Sequence, residues 1–182
     1  MTYQFHTISK QVLGDLQTPV SIYLKVRDIY PESALLESSD FHGNDNSLSF
    51  IALRPLGSIG INQSVATMKY PDGREENKTL QADFQVQDAM NQFLASFHIE
   101  GDETRYCGLF GYTSFDAVKN LEPIPVIESH HEENDAPDIL YILYKYLIVF
   151  DHFKNELTLI ELLSEGETPH LKDIETLINN RN

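Results

Sequence analysis

The sequence predicts an α+β fold, with mainly antiparallel sheets and interspersed helices. Three observations carry that reading. Runs with the composition of strands outnumber stretches with helical spacing. The helical stretches fall among them without the regular strand–helix–strand alternation that builds a parallel sheet. Two late apolar runs, Ile139 to Phe150 and Glu156 to Leu163, are separated only by Asp151-His152-Phe153-Lys154-Asn155, a spacing that suits a hairpin. No internal repeat and no low-complexity linker interrupts the 182 residues, so residues 1–182 are expected to form a single domain.

Taken in order, residues 2–13 read as a strand that ends near Gly14-Asp15. Thr18-Pro19 then supplies a helix start, with Thr as N-cap and Pro at the first helical position. Val20, Tyr23, Leu24 and Arg27 follow at helical spacing, and the helix ends near Asp28, before the Tyr30-Pro31 turn. Ala34 to Ser38 is a short, buried strand, and Ser39 to Ser47, dense in Asp, Gly and Asn, is a loop. Leu48 to Ile61 is strand-like but broken near Pro55 and Gly57. A strand over Ser64 to Tyr70 leads into Pro71-Asp72-Gly73, where Pro presets φ and Gly accepts a positive one. A further short strand covers Lys78 to Gln81. Asp83 opens a helix whose Val86, Met90, Phe93, Leu94 and Phe97 share one face. Gly101-Asp102 ends that segment. Cys107 to Tyr112 is a strand, Ser114 to Leu121 a short helix, Glu122-Pro123-Ile124-Pro125 a stiff exit, and Glu128 to Pro137 a polar loop. After the hairpin, Leu171, Ile174, Leu177 and Ile178 mark the stripe of a last helix that runs to the end of the chain.

Composition narrows the function classes. Apolar residues at 41% and charged residues at 23% suit a globular chain rather than a disordered one. The net charge of −15, from 28 acids and 13 bases with no basic cluster, argues against nucleic acid as a partner. Cys107 is the only cysteine, which excludes an intrachain disulfide and a multi-thiolate zinc site and fits a reducing cytoplasm. Met1 to His6 lacks the basic-then-apolar pattern of a signal peptide. The run from Ile139 to Phe150 carries Lys145 and is too short to span a bilayer, so no membrane partner is expected.

Few side-chain patterns suggest catalysis. His130-His131-Glu132-Glu133 has adjacent histidines, which diverge by about 100° on a helix and point oppositely on a strand. The zinc-protease pattern needs them four apart, so a solvated loop is the simpler reading and no metal site is expected. Asp151-His152 could orient an imidazole for acid–base work, but no serine or cysteine is placed by motif beside it, and a structural role at the hairpin is expected. Cys107 reads as an inert, buried thiol. Gly108-Leu109-Phe110-Gly111 lacks the rest of a phosphate-binding loop, and close packing explains its glycines. No catalytic residue emerges. The odd segment is Leu35-Leu36-Glu37-Ser38, which sets a carboxylate and a hydroxyl directly after a buried-looking strand. Such a carboxylate must be solvated, paired or matched to a ligand, and the ammonium of an amino acid is one ligand that suits it.

That segment, with three others in order, resembles the amino-terminal part of anthranilate synthase component I. Thr18-Pro19-Val20-Ser21-Ile22-Tyr23-Leu24-Lys25 is similar to that family's early helix, and Leu35-Leu36-Glu37-Ser38 to its "LLES" segment. Gly108-Leu109-Phe110-Gly111-Tyr112, Phe115-Asp116, Leu121-Glu122 and Pro125 follow another of its stretches. Pro137-Asp138 with Ile148-Val149-Phe150-Asp151-His152 resembles its late hairpin. The likeness covers about residues 1 to 163. Cys107 stands where many members have glycine, Lys119 where arginine is common, and Leu48-Ser49 where some carry a basic residue.

The resemblance implies the α+β fold of that amino-terminal domain and a regulatory, tryptophan-sensing role. Leu36, Glu37 and Ser38, with Ser49 on the next strand, would line part of an allosteric tryptophan site. It also implies a longer enzyme that makes anthranilate and pyruvate from chorismate and ammonia or glutamine. Chorismate and magnesium would be held by a carboxy-terminal, chorismate-binding domain whose signature segments are not in this sequence. No cofactor is expected in this segment, which would be inactive alone, and a glutamine amidotransferase subunit would be a partner of the full enzyme. Two other readings compete. One is the related aminodeoxychorismate synthase component I. The other is a stand-alone amino-acid-binding module, which a natural stop after Asn182 would favour.

Overall fold

A computed structural model describes residues 2–14, 17–38, 47–115, 117 and 136–180. Among the described residues nine strands and three α-helices follow one another as β1 (Tyr3–Leu13), α1 (Pro19–Val26), β2 (Ala34–Leu36), β3 (Leu48–Asn62), β4 (Val65–Lys69), β5 (Glu75–Thr79), α2 (Val86–Leu94), β6 (Phe97–Gly101), β7 (Leu109–Thr113), β8 (Ile139–Asp151), β9 (Glu156–Leu163) and α3 (Leu171–Asn179). The strands hydrogen-bond in the order β5-β4-β3-β8-β9-β1-β6, with β2 added to β3 and β7 to β8. The pairs β1–β9, β2–β3, β3–β4, β4–β5, β7–β8 and β8–β9 are antiparallel. The α+β class with mainly antiparallel pairing is therefore observed. No helix among the described residues is long and apolar enough to cross a membrane.

Contacts group the chain into two compact units. One comprises residues 1–3, 56–97 and 109–143; the other comprises 4–55, 98–108 and 144–182. In the first, Ile59, Ile61, Met68 and Tyr70 pack against Val86, Ala89 and Phe93 of α2. The anticipated helical face extended to Phe97, but α2 ends after Leu94, which is 47% exposed, and Phe97 begins β6. Its ring still meets Phe93 edge-on, with centroids 4.9 Å apart. The apolar stripe thus continues through a residue that has left the helix, so its periodicity misplaced the boundary. The helix opens at Gln85 rather than Asp83, with the Gln85 N–H donating to the Asp88 carboxylate at 2.8 Å. In the turn before β5, the Arg74 N–H donates to Asp72 Oδ1 at 2.9 Å, and Gly73 has φ 84°. That turn starts β5 three residues earlier than expected; Glu75-Glu76-Asn77-Lys78-Thr79 is too polar to announce a strand. Strand β7 likewise begins at Leu109 rather than Cys107. At its Gly111 an added Cβ would collide with the Leu140 carbonyl, which explains that glycine, whereas Gly108 faces no such obstacle.

In the second unit, Ile51, Leu53, Ile148, Phe150, Leu157 and Leu159 form a core under α1 and α3. Thr18 caps α1 as anticipated: its Oγ1 accepts the Ser21 N–H at 3.1 Å, and Ser21 Oγ accepts the Thr18 N–H at 2.9 Å. The Lys25 ammonium donates to the Ile178 carbonyl at 2.7 Å, at the carboxyl end of α3. Strand β3 is not broken near Pro55; one left-handed residue, Arg54 with φ 61°, absorbs the disturbance and the strand resumes. Strand β2 was expected to be buried, yet it is half-buried and Leu36 is 37% exposed. Gly101, with φ 117°, lies so close to Thr7 that a Cβ would sit 2.5 Å from the Thr7 carbonyl oxygen. The anticipated loop over Ser39 to Ser47, most of the short helix over Ser114 to Leu121, and the polar stretch from Glu122 to Asp135 lie outside the described residues, save Ser47 itself.

The second unit also buries charge. Lys145 on β8 is 1% exposed, and its ammonium donates to the Leu162 carbonyl at 3.0 Å and to Glu167 Oε1 at 2.6 Å. Glu161, fully buried on β9, has Oε1 3.7 Å from the same ammonium, while its Oε2 accepts the His170 N–H at 2.8 Å. Burial works to raise the Glu167 carboxyl, but the hydrogen bonds from Lys145 and the Ser164 N–H outweigh it and hold the group below its ordinary value of 4.5.

Removing one member of a buried pair strands the other. Lys145→Met is expected to lower the unfolding free energy by about 3–5 kcal/mol in urea titrations at neutral pH. Because the Glu167 carboxyl is depressed on folding, its contribution is present above pH 4.5 and is lost as the pH falls through the lower folded value. Glu167→Gln is expected to show a shallower loss of stability below that pH than the unsubstituted chain, read from urea midpoints across an acid series.

Candidate functional site

The segment singled out in the sequence lies where the β2–β3 ladder stops. The last paired residues are Leu36 and Phe50. Beyond them Glu37 and Ser38 no longer have a strand partner in register, so their backbone donors must be met otherwise. The Ser38 N–H turns to a side chain, donating to Ser49 Oγ at 3.3 Å. Ser49 is fully buried on β3, and its Oγ lies 2.7 Å from His152 Nε2. A hydroxyl has one proton and two lone pairs. Ser49 can therefore accept from Ser38 while donating to a neutral imidazole.

All four of the anticipated residues thus lie in one place, with Ser38 joined directly to Ser49. Leu36 and Glu37 are exposed, Ser38 is half-buried, and Ser49 backs them from the strand behind. Glu37 has no hydrogen bond or ion pair among the described residues. Its carboxylate can take an ammonium or another cation, and Leu36 offers apolar surface beside it. Phe50, opposite Leu36, meets Tyr106 edge-on at 6.1 Å between centroids, and the Arg105 guanidinium lies 4.7 Å over the Tyr106 ring.

His152 was not among the anticipated site residues. It sits at the β8–β9 hairpin, with its ring 4.7 Å from that of Phe150 and its N–H donating to the Ser47 carbonyl at 3.1 Å. The sequence pointed to it as part of the Asp151-His152 pair and of the late hairpin motif, but nothing local tied it to a serine 103 residues away. Asp151 does not orient the imidazole. Its Oδ1 accepts the N–H groups of Phe153 and Lys154, both at 3.0 Å, which closes the hairpin. Ser49 is too deeply buried for a substrate to reach its hydroxyl, so the Ser49–His152 pair does not form an exposed nucleophile.

The remaining candidates resolve simply. Burial pushes the Cys107 thiol up to about 11, which disfavours the reactive thiolate. His130-His131-Glu132-Glu133 lies outside the described residues; among the described residues no group of three or more His, Cys, Asp or Glu side chains is placed to hold a metal. A cavity of about 450 Å³ lined by Gln4, Phe5, His6, Glu100 and residues 163–167 contains none of the site residues.

A family model for chorismate binding enzyme matches residues 40–180. The chain is 30% identical to anthranilate synthase component 1 of Acinetobacter calcoaceticus over 161 residues, covering 87% of this chain and 32% of the relative. It is 27% identical to the protein of that name from Thermus thermophilus over 162 residues, covering 88% and 32%. With the one from Synechocystis it shares 27% over 181 residues, covering 97% and 34%. The chain spans about a third of the length of these relatives.

Ser49→Ala is expected to leave the Ser38 N–H without its acceptor and His152 without its hydroxyl. The anticipated loss is about 1–3 kcal/mol of unfolding free energy, measured by denaturant titration.

Proposed function

The chain belongs to the chorismate binding enzyme family, and we propose that it is the amino-terminal, tryptophan-sensing part of an anthranilate synthase component I. One observation carries this reading: Leu36-Glu37-Ser38 emerges from a strand end and is backed by buried Ser49 through a direct hydrogen bond. An amino acid placed there would set its ammonium against Glu37, polar atoms against Ser38, and its indole against the apolar surface that begins at Leu36. These residues make one wall of a pocket, and the other wall would come from a chorismate-binding domain. The relatives described above all bear the name anthranilate synthase component 1, which supports this reading over aminodeoxychorismate synthase.

On this proposal the complete enzyme acts in the cytoplasm, converts chorismate and ammonia to anthranilate and pyruvate, uses magnesium in its catalytic domain, and receives ammonia from a glutamine amidotransferase subunit. This segment supplies no catalytic group and has no activity alone. Inhibition is then a coupling free energy: tryptophan binds one arrangement of the enzyme better than the other, and that arrangement binds chorismate less well.

The test uses anthranilate formation by the complete polypeptide that carries this chain, followed across a tryptophan series. Ser38→Ala is expected to raise the half-inhibitory tryptophan concentration roughly tenfold or more, a change of about 1.4 kcal/mol. Unchanged sensitivity to tryptophan would remove Ser38 from the site.

A further inference from the structure

We propose that His152 is a positioning residue of this effector site, acting through Ser49 on the backbone of Glu37-Ser38 without touching the ligand. The inference rests on the tryptophan-site reading above. Strand pairing holds the chain only as far as Leu36. From there the Ser38 N–H depends on the lone pair of a hydroxyl. A serine hydroxyl rotates, and an acceptor for its proton determines where its lone pairs point. His152 Nε2, at 2.7 Å, is that acceptor in the neutral tautomer that carries its proton on Nδ1.

The histidine is itself held in place from two sides. Its ring lies against Phe150, and its main-chain N–H donates to the Ser47 carbonyl, one residue before β3 begins. The hairpin therefore fixes the imidazole, the imidazole fixes the Ser49 hydroxyl, and the hydroxyl fixes the exit of the chain from β2. Because Ser49 is fully buried, the effect cannot come from its direct contact with a ligand. What reaches the ligand is the orientation of Glu37 and the Ser38 backbone. Small errors in such a supporting arrangement cost affinity even when every contacting residue is retained.

Two substitutions separate positioning from bulk packing. His152→Phe keeps an aromatic ring for Phe150 but removes both nitrogens. His152→Gln keeps a side-chain acceptor that can reach the Ser49 hydroxyl. In this chain, amide hydrogen exchange at Ser38 followed by NMR is expected to quicken roughly tenfold or more in the Phe variant and to stay near the unsubstituted rate in the Gln variant. In the complete polypeptide, the half-inhibitory tryptophan concentration is expected to rise roughly tenfold in the Phe variant and to be restored by Gln. Melting temperatures of the variants, measured in parallel, show whether either has simply lost its fold. Unchanged Ser38 exchange and unchanged tryptophan response in the Phe variant would overturn the inference. So would equal loss in both variants, which would mark a packing role. If the unsubstituted enzyme ignores tryptophan, the effector-site reading fails, while Ser38 exchange still decides whether His152 orders that segment.

Discussion

A single buried ammonium organises much of the second unit. Lys145 occupies a position on β8 flanked by Tyr144 and Tyr146, where the surrounding pattern is almost wholly apolar. A charge there is tolerable only if it is paired and hydrogen-bonded. Two of its donors are met, by the Leu162 carbonyl on β9 and by Glu167 in the following turn, while Glu161 Oε1 lies 3.7 Å away as a charge partner without a hydrogen bond. Glu161 in turn takes the N–H of His170, the residue that opens α3. The cation and its two carboxylate partners thereby tie β8, β9, the turn after them and the start of α3 together. Such a cluster adds little net stability over a hydrophobic replacement, but it penalises any arrangement that leaves a charge alone.

The same two strands carry the hairpin on which the candidate site depends. Strand β8 delivers Phe150 and His152 at its far end, and β3 presents Ser49 from the buried face. The candidate segment, Leu36 to Ser38, is held to β3 in the ladder only through Leu36. Its geometry is inherited from elements distant in sequence. This division would suit the regulatory role proposed above. The contacting residues can be exposed and weakly held in themselves, while the elements that aim them are anchored in the core.

Periodic features were the legible part of the fold. Thr18-Pro19 announced α1, the stripe through Leu171, Ile174 and Ile178 announced α3, and the Ile139 and Glu156 runs announced the longest hairpin. Each depends on local chemistry that a single sequence displays. Legibility failed where tertiary context overrode it. Phe97 kept helical spacing while entering a strand, because its ring had to stay against Phe93. Pro55 looked like a strand breaker, yet Arg54 took a left-handed conformation and spared the ladder. At the site, resemblance to a family singled out Leu36, Glu37, Ser38 and Ser49, and the structure joins Ser38 directly to Ser49. His152 stayed hidden, because a contact spanning 103 positions leaves no trace in spacing.

The elevated thiol of Cys107 has a practical side. Burial pushes the group up to about 11, which favours the neutral thiol at pH 7. It is also the chain's only cysteine. Alkylating dyes and spin labels attack the thiolate, so this half-buried thiol is expected to react more slowly than an exposed one. A cysteine introduced at an exposed position such as Phe153 is expected to label ahead of it, so the two sites can be told apart by rate.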